Sequence, residues 1–181
     1  MKNYLWVTKY APTSVKECVL PDQTKKTFLE YETTQDFPNL LLAGPAGVGK
    51  TSIANALCSS IGADTLFVNA SLDRGISDVR TTVAQFASCS SMFGGLKVVL
   101  LDEADNLTQD SQKALRALIE EFQNHCRFIL TCNYPHNIID AIHSRCSVVD
   151  FRLVGKTRKT LSVEFAVRVS KILKSNNIKY D

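Results

Sequence analysis

Three glycines, a lysine and a threonine fall within "GPAGVGKT", residues 44–51. The spacing fits GxxxxGK[ST], with Gly44, Gly49, Lys50 and Thr51 at the fixed positions. Such a loop turns successive backbone N–H groups toward one anion. It therefore needs positions that tolerate unusual backbone angles. The flanks suit this: apolar "NLLLAG" reads as a buried strand, and "KTSIANALCSSIG" reads as a helix. The N-terminus of a helix favours negative charge. Lys50 then reaches the β- and γ-phosphates of a bound triphosphate, and the Thr51 hydroxyl ligates Mg²⁺.

A second group lies about 50 residues downstream, in "VVLLDEAD". It puts Asp102 and Glu103 at the C-terminal end of an apolar strand, the edge where open α/β sheets bind ligands. Asp102 suits the Mg²⁺ network, and Glu103 suits a general base acting on water. Alone, the two acids would fit an ordinary helix cap. Asn133, which ends the next strand in "LTCN", can orient a water or face a γ-phosphate; alone it reads as a turn residue before "YP". Arg145, in "SRC", reads alone as a surface charge.

The elements that must hold these residues alternate. Strands are expected at 39–44, 65–70, 97–105, 126–133 and 147–152. Helices are expected at 22–34, 50–62, 77–88, 108–124, 137–146 and 159–177. Asp22 and Ser77 are candidate N-caps, and Gly62 is a candidate stop. Residues 1–20 read as irregular. Continuously apolar strands between helices predict an α/β fold, a five-stranded parallel sheet with helices on both faces. The composition gives one domain of ordinary character: 45% hydrophobic and 22% charged in 181 residues. The net charge of +3 is uneven: residues 1–150 carry 13 basic and 16 acidic side chains, and residues 151–181 carry 8 and 2.

No apolar run reaches the roughly 18 residues that span a bilayer, and "MKNYLWVTKYAP" has no signal-peptide core. This points to a cytoplasmic protein without a membrane partner. The six cysteines form no CxxC pair, and the three histidines have no HExxH spacing, so no structural metal is expected. The cysteines read as reduced, mostly buried thiols.

Together these stretches resemble the ATPase subunits of sliding-clamp loaders, within the AAA+ superfamily. The resemblance is carried by "KYAPTSVKECVLP", "AGPAGVGKTSIANAL", "VNASLDRGISDVR", "VVLLDEADNLTQDSQKALRALIE" and "RFILTCNYPHNIIDAIHSRCSVVDF". "ECVLP" and "IGADTLFVNAS" are similar to the small subunit of tailed-bacteriophage loaders, with the replication factor C small subunits as near relatives. The resemblance implies an AAA+ nucleotide-binding core at 1–152, followed by the start of a helical lid at 153–181. It implies that Gly47, Val48, Gly49, Lys50, Thr51 and Ser52 bind phosphates, while Val7, Thr8, Lys9, Tyr10 and Val19 lie toward the adenine. Asp102 and Glu103 become the Walker B acids, with Thr51 and Asp102 as Mg²⁺ ligands. Asn133 becomes sensor 1, and Arg145 an arginine finger acting on a neighbouring subunit. Arg80, with Lys113 and Arg116 as weaker candidates, would track DNA phosphates. Implied partners are the other subunits of a pentamer, a sliding clamp and primer–template DNA.

The sequence departs from that pattern after Phe151. The family's lid bundle, second sensor arginine and helical collar are expected to be incomplete or missing in the last 30 residues. The apolar side of 159–177, with Leu161, Phe165, Val169 and Ile172, is expected to be exposed and to seek a partner. Two other functions fit parts of the sequence. A module that binds nucleotide without hydrolysing it would follow from the short lid. A DEAD-box helicase would follow from "DEAD" alone, but it needs a second RecA-like domain.

Overall fold

The structure, a computed structural model, describes residues 5–71, 76–89, 91, 95–153 and 155–178. Among these, five parallel strands form one sheet: β1 (Leu40–Ala43), β2 (Asp64–Asn69), β3 (Lys97–Asp102), β4 (Cys126–Cys132) and β5 (Ser147–Asp150). Their order is β2-β3-β4-β1-β5. The helices are α1 (Trp6–Lys9), α2 (Asp22–Thr34), α3 (Lys50–Ser60), α4 (Ile76–Ser88), α5 (Gln109–Glu121), α6 (Asp140–His143) and α7 (Gly155–Ser175).

Side chains alternate across a strand, so each apolar run feeds two cores. Leu40 and Leu42 of β1, Val98 and Leu100 of β3 and Ile129 of β4 pack with Phe28 of α2 and Ile53, Ala54 and Leu57 of α3. Leu41, Val99, Leu101, Phe128 and Leu130 point the other way, onto Val83 and Ala87 of α4 and Leu115, Leu118 and Ile119 of α5. With both faces covered, the central strands cannot show polar alternation, which is why they read as unbroken apolar runs.

The topology fixes where a ligand goes. From β1 the chain crosses over to the far strand β2, then returns through β3 and β4 before placing β5 on the other side of β1. The crevice beyond the end of β1 is the switch point of this order. Gly44 begins there at φ +153, and a Cβ on it would lie 2.9 Å from Phe151 Cβ. Only glycine lets the loop leave the strand so close to the chain that follows β5.

Several boundaries differ from the sequence expectation. Pro21, not Asp22, takes the N-cap position of α2, and Asp22 is its first residue, where a carboxylate still favours the helix dipole. Ser77 falls inside α4, and its side chain and that of Val79 lie outside the described residues. Residues 6–9 and 15–17 are short helices rather than irregular chain.

The helix expected at 137–146 is a 3₁₀ turn, Pro135–Asn137, followed by the four residues of α6. Buried Gln112 pins the junction between the two: its amide donates to Asn137 O at 2.9 Å, and its Oε1 accepts from Ile139 N at 2.9 Å. It thereby occupies Asn137 O, an acceptor that a helix running on from 137 would have used, and partners Ile139 N, which would lie in the unpaired first turn of such a helix. The apolar side of α7 is only partly exposed. Phe165 is 59% exposed, but Leu161 is buried, and Val169 and Ile172 are half-buried against the body. All six cysteines are unpaired thiols; Cys18, Cys58, Cys126 and Cys132 are buried and Cys89 is exposed.

Candidate nucleotide site

Gly49, at φ +91, turns the loop into α3 and makes Lys50 the first helical residue. The Lys50 side chain folds back over the loop. Its Nζ donates to Gly44 O and Pro45 O, both at 2.8 Å, and to Asn133 Oδ1 at 2.9 Å. All three acceptors are neutral, and Lys50 is 7% exposed. Burial therefore lowers the Lys50 pKa below the ordinary lysine range, while Asp102, Asp105 and Glu103 act against that shift. An ammonium held by neutral oxygens in a crevice is ready to exchange them for an anion.

Beside it, Thr51 Oγ1 donates to Asp102 Oδ1 at 2.6 Å. Thr131 Oγ1 donates to the same oxygen at 2.7 Å and accepts from Glu103 N at 3.0 Å. Glu103 follows at φ +56, a left-handed conformation that swings its carboxylate away from the strand axis. Its Oε2 accepts from Ser71 Oγ and, at 3.3 Å, from Asn106 Nδ2. The structure thus brings Lys50, Thr51, Asp102 and Asn133 together, with Glu103 on the same edge. Thr131, Ser71 and Asn106 were not foreseen. A threonine inside the apolar run "RFILTC" was a usable signal, because a buried hydroxyl must find a partner.

A cavity of about 780 Å³ opens on the other side of the loop. Gly47, Val48, Gly49, Thr51 and Ser52 line it, as do Val7, Tyr10 and Val19 from the N-terminal segment. Thr8 and Lys9 are exposed on α1 and do not line it; Lys9 Nζ turns instead to Asn176 Oδ1, at 3.3 Å. The far wall is α7. Arg168 donates to Glu17 O and, at 3.2 Å, to Tyr10 O, and Asn176 Nδ2 donates to Tyr10 Oη at 2.5 Å. The Lys9 ammonium and the Asn176 amide lower the Tyr10 pKa to about 8. The volume lies in the usual range for small-molecule pockets. The residues present fit Mg·ATP: a hydroxyl and a carboxylate oxygen 2.6 Å apart suit a hard cation, beside a helix N-terminus and a buried ammonium.

The other candidates lie elsewhere. Arg145 precedes β5, whose first residue is paired with Leu40 at the start of β1. It is thus at the opposite edge of the sheet from the loop. Its Nε donates to Glu120 Oε1 at 2.7 Å, Nη2 binds the same oxygen, and Nη1 donates to Ala141 O at 2.7 Å. Arg116 Nη2 donates to Glu120 Oε2 at 3.2 Å. Arg116 and then Arg145 pull the Glu120 carboxyl below its usual range. Lys113 pairs with Asp110 at 2.9 Å, and Arg80 is exposed on α4.

The chain is also similar to known proteins. Residues 40–153 match the model of the ATPase family associated with various cellular activities (AAA). The replication factor C small subunit of Methanosarcina barkeri is 42% identical over 159 residues, covering 84% of this chain and 48% of that protein. That of Halobacterium salinarum is 45% identical over 162 residues, 85% and 49% of the two chains. The chain spans about half the length of the curated relatives it matches. Among solved structures, a RuvB mutant from Thermotoga maritima is similar with a TM-score of 0.68 at 19% identity, covering 92% of this chain and 56% of that one. The RuvB Holliday junction branch migration motor of the same organism gives 0.60 at 22%, covering 80% and 48%. These last two share the fold. With the phosphate loop, the strand-end acids and the sheet order in place, the chain belongs to the ATPase family associated with various cellular activities (AAA).

Proposed function

We propose that this chain is the nucleotide-binding part of a sliding-clamp loader small subunit. In this reading it binds and hydrolyses Mg·ATP, and the cycle drives opening of a ring-shaped clamp and its loading on primer–template DNA during replication. Its partners are other loader subunits, the clamp and DNA, in the cytoplasm. The stretches "ECVLP" and "IGADTLFVNAS" favour a bacteriophage branch. One arrangement carries the ATPase reading: Lys50 on Asn133 and Thr51 on Asp102, at the carboxyl edge of one sheet. The loader assignment is supported by the 42% identity to a replication factor C small subunit over 84% of the chain.

When bound, ATP supplies the γ-phosphoryl group to be cleaved, and Mg²⁺ screens its charge. The residues divide the rest. The loop N–H groups and the start of α3 receive phosphate oxygens. Lys50 exchanges its three neutral oxygens for phosphate, which frees the Asn133 amide to face the terminal phosphate and the attacking water. Thr51 and Asp102 hold the cation. Glu103 accepts the water's proton once Ser71 and Asn106 yield its Oε2. Val7, Tyr10 and Val19 exclude water around the base.

Titration with a fluorescent ATP analogue and Mg²⁺ tests the loop. Saturable binding is expected, weakened at least about tenfold in Lys50→Ala, because a charged hydrogen-bond donor to phosphate is lost. Unchanged affinity overturns the assignment. The loader reading is tested by ATP hydrolysis with companion subunits. Addition of clamp and primer–template DNA is expected to raise the rate, and no rise would leave an AAA ATPase of another kind.

A further inference from the structure

Asp105 stands outside every role given so far, and its surroundings are unusual. It lies in the 3₁₀ turn Ala104–Asn106 that follows the two acids. Its Oδ2 accepts two consecutive backbone N–H groups from the end of the next strand, Asn133 N at 3.2 Å and Tyr134 N at 3.0 Å. Its Oδ1 is buried and has no hydrogen-bond partner. Burying an unpaired carboxylate oxygen is unfavourable, so such groups are rare and call for an explanation.

Three connections supply one. The residue whose backbone Asp105 grips is Asn133, and the Asn133 side chain holds Lys50 at 2.9 Å. The turn that carries Asp105 begins at Glu103, whose own N–H is tied to Thr131 of β4 at 3.0 Å. The strand ends β3 and β4 are therefore cross-braced twice: by Thr131 to the backbone of Glu103, and by Asp105 to the backbone of Asn133. A loop leaving a strand has no ladder partner to fix it; here a carboxylate takes that place. Its unpaired oxygen adds to the negative charge that Asp102 and Glu103 also place near the Lys50 ammonium.

We propose that Asp105 is a positioning residue that sets the Asn133 amide against the terminal phosphate by clamping the backbone at Asn133 and Tyr134. It acts through Asn133 and touches no nucleotide. The inference rests on the proposed reading of Asn133 as the group that meets the terminal phosphate, so that reading needs its own control.

The test compares Kd for Mg·ADP with Kd for a non-hydrolysable β,γ-imido ATP analogue, so neither hydrolysis nor assembly is required. Asn133→Ala is the control, expected to lower the preference for the triphosphate about tenfold, the worth of one hydrogen bond to a charged group. Asp105→Ala is expected to lower it to the same extent while leaving ADP affinity within about twofold. Asp105→Asn keeps an oxygen for the two N–H groups and is expected to restore the preference. Amide exchange at Asn133 and Tyr134 is expected to quicken in Asp105→Ala and not in Asp105→Asn, with α2 unchanged in both. Should Asp105→Ala fail to fold, Asp105→Glu replaces it with the same expectation, because one added methylene moves the carboxylate off the two amides. A native preference in the Ala or Glu variant, while Asn133→Ala loses it, overturns the role of Asp105. A native preference in Asn133→Ala overturns the reading of Asn133, and the inference with it.

Discussion

At the scale of single residues, the candidate site is a set of oxygens waiting for charge. Thr51 Oγ1 and Thr131 Oγ1 both donate to Asp102 Oδ1, at 2.6 and 2.7 Å, so the carboxylate already has two hydroxyls in place. Thr51→Val keeps the shape and removes one of them. Mg²⁺-dependent tightening of nucleotide binding is expected to fall about tenfold, while affinity in EDTA stays near wild type. Titrations with and without the metal check this; equal losses in both would take Thr51 out of the cation site. That Lys50, Thr51 and Asp102 meet at one sheet edge was legible in their types and spacing, the pattern that a phosphate and Mg²⁺ would demand. Thr131, Asp105 and Glu120 were not, since their roles arise from strand ends and helices brought together only by folding. Asp105 sits in the quoted "DEAD", yet nothing local says that its carboxylate will reach the backbone 28 positions on.

At the scale of elements, period and length located nearly every strand and helix, because apolar runs and amphipathic stripes report burial directly. What stayed hidden was tertiary competition. Gln112 pins the break in the helix expected at 137–146 by holding Asn137 O and Ile139 N. Likewise α7 turns Leu161, Phe165, Val169 and Ile172 toward the cavity that the N-terminal segment lines from the other side. Arg168 is its latch, donating to Glu17 O and Tyr10 O. Because those carbonyls belong to the segment proposed to wall the base, losing the latch should loosen that wall and leave the phosphate side intact. Arg168→Ala is expected to weaken ADP and the triphosphate analogue equally, by about three- to tenfold, equivalent to one or two modest hydrogen bonds. Calorimetric titration with both ligands checks it. A selective loss of the triphosphate would instead place Arg168 on the terminal phosphate.

At the scale of the whole molecule, the parallel sheet separates two chemistries by its own length. The phosphate loop leaves the C-terminal end of β1, and Arg145 enters at the N-terminal end of β5 beside it. Four residues of strand put roughly 13 Å between those edges, before any loop is counted. A guanidinium there has no route to its own chain's nucleotide, so in the proposed loader it acts on a neighbour. It is also pre-oriented: Glu120 holds Nε and Nη2, and Ala141 O holds Nη1. An arginine with several of its five donors engaged loses little further rotamer freedom when it meets a phosphate. Arg145→Ala should therefore leave this chain's own nucleotide Kd within about twofold, yet depress hydrolysis in assemblies that contain it, by roughly 10³-fold or more per affected site. Mixing Arg145→Ala with Lys50→Ala subunits reads this out. Each alone is expected to be inactive, and hydrolysis regained in the mixture fits an arginine working across an interface, since an intact site then meets an intact arginine. No regained activity, or a loss of nucleotide affinity in the isolated Arg145→Ala subunit, would return Arg145 to a purely structural pairing with Glu120.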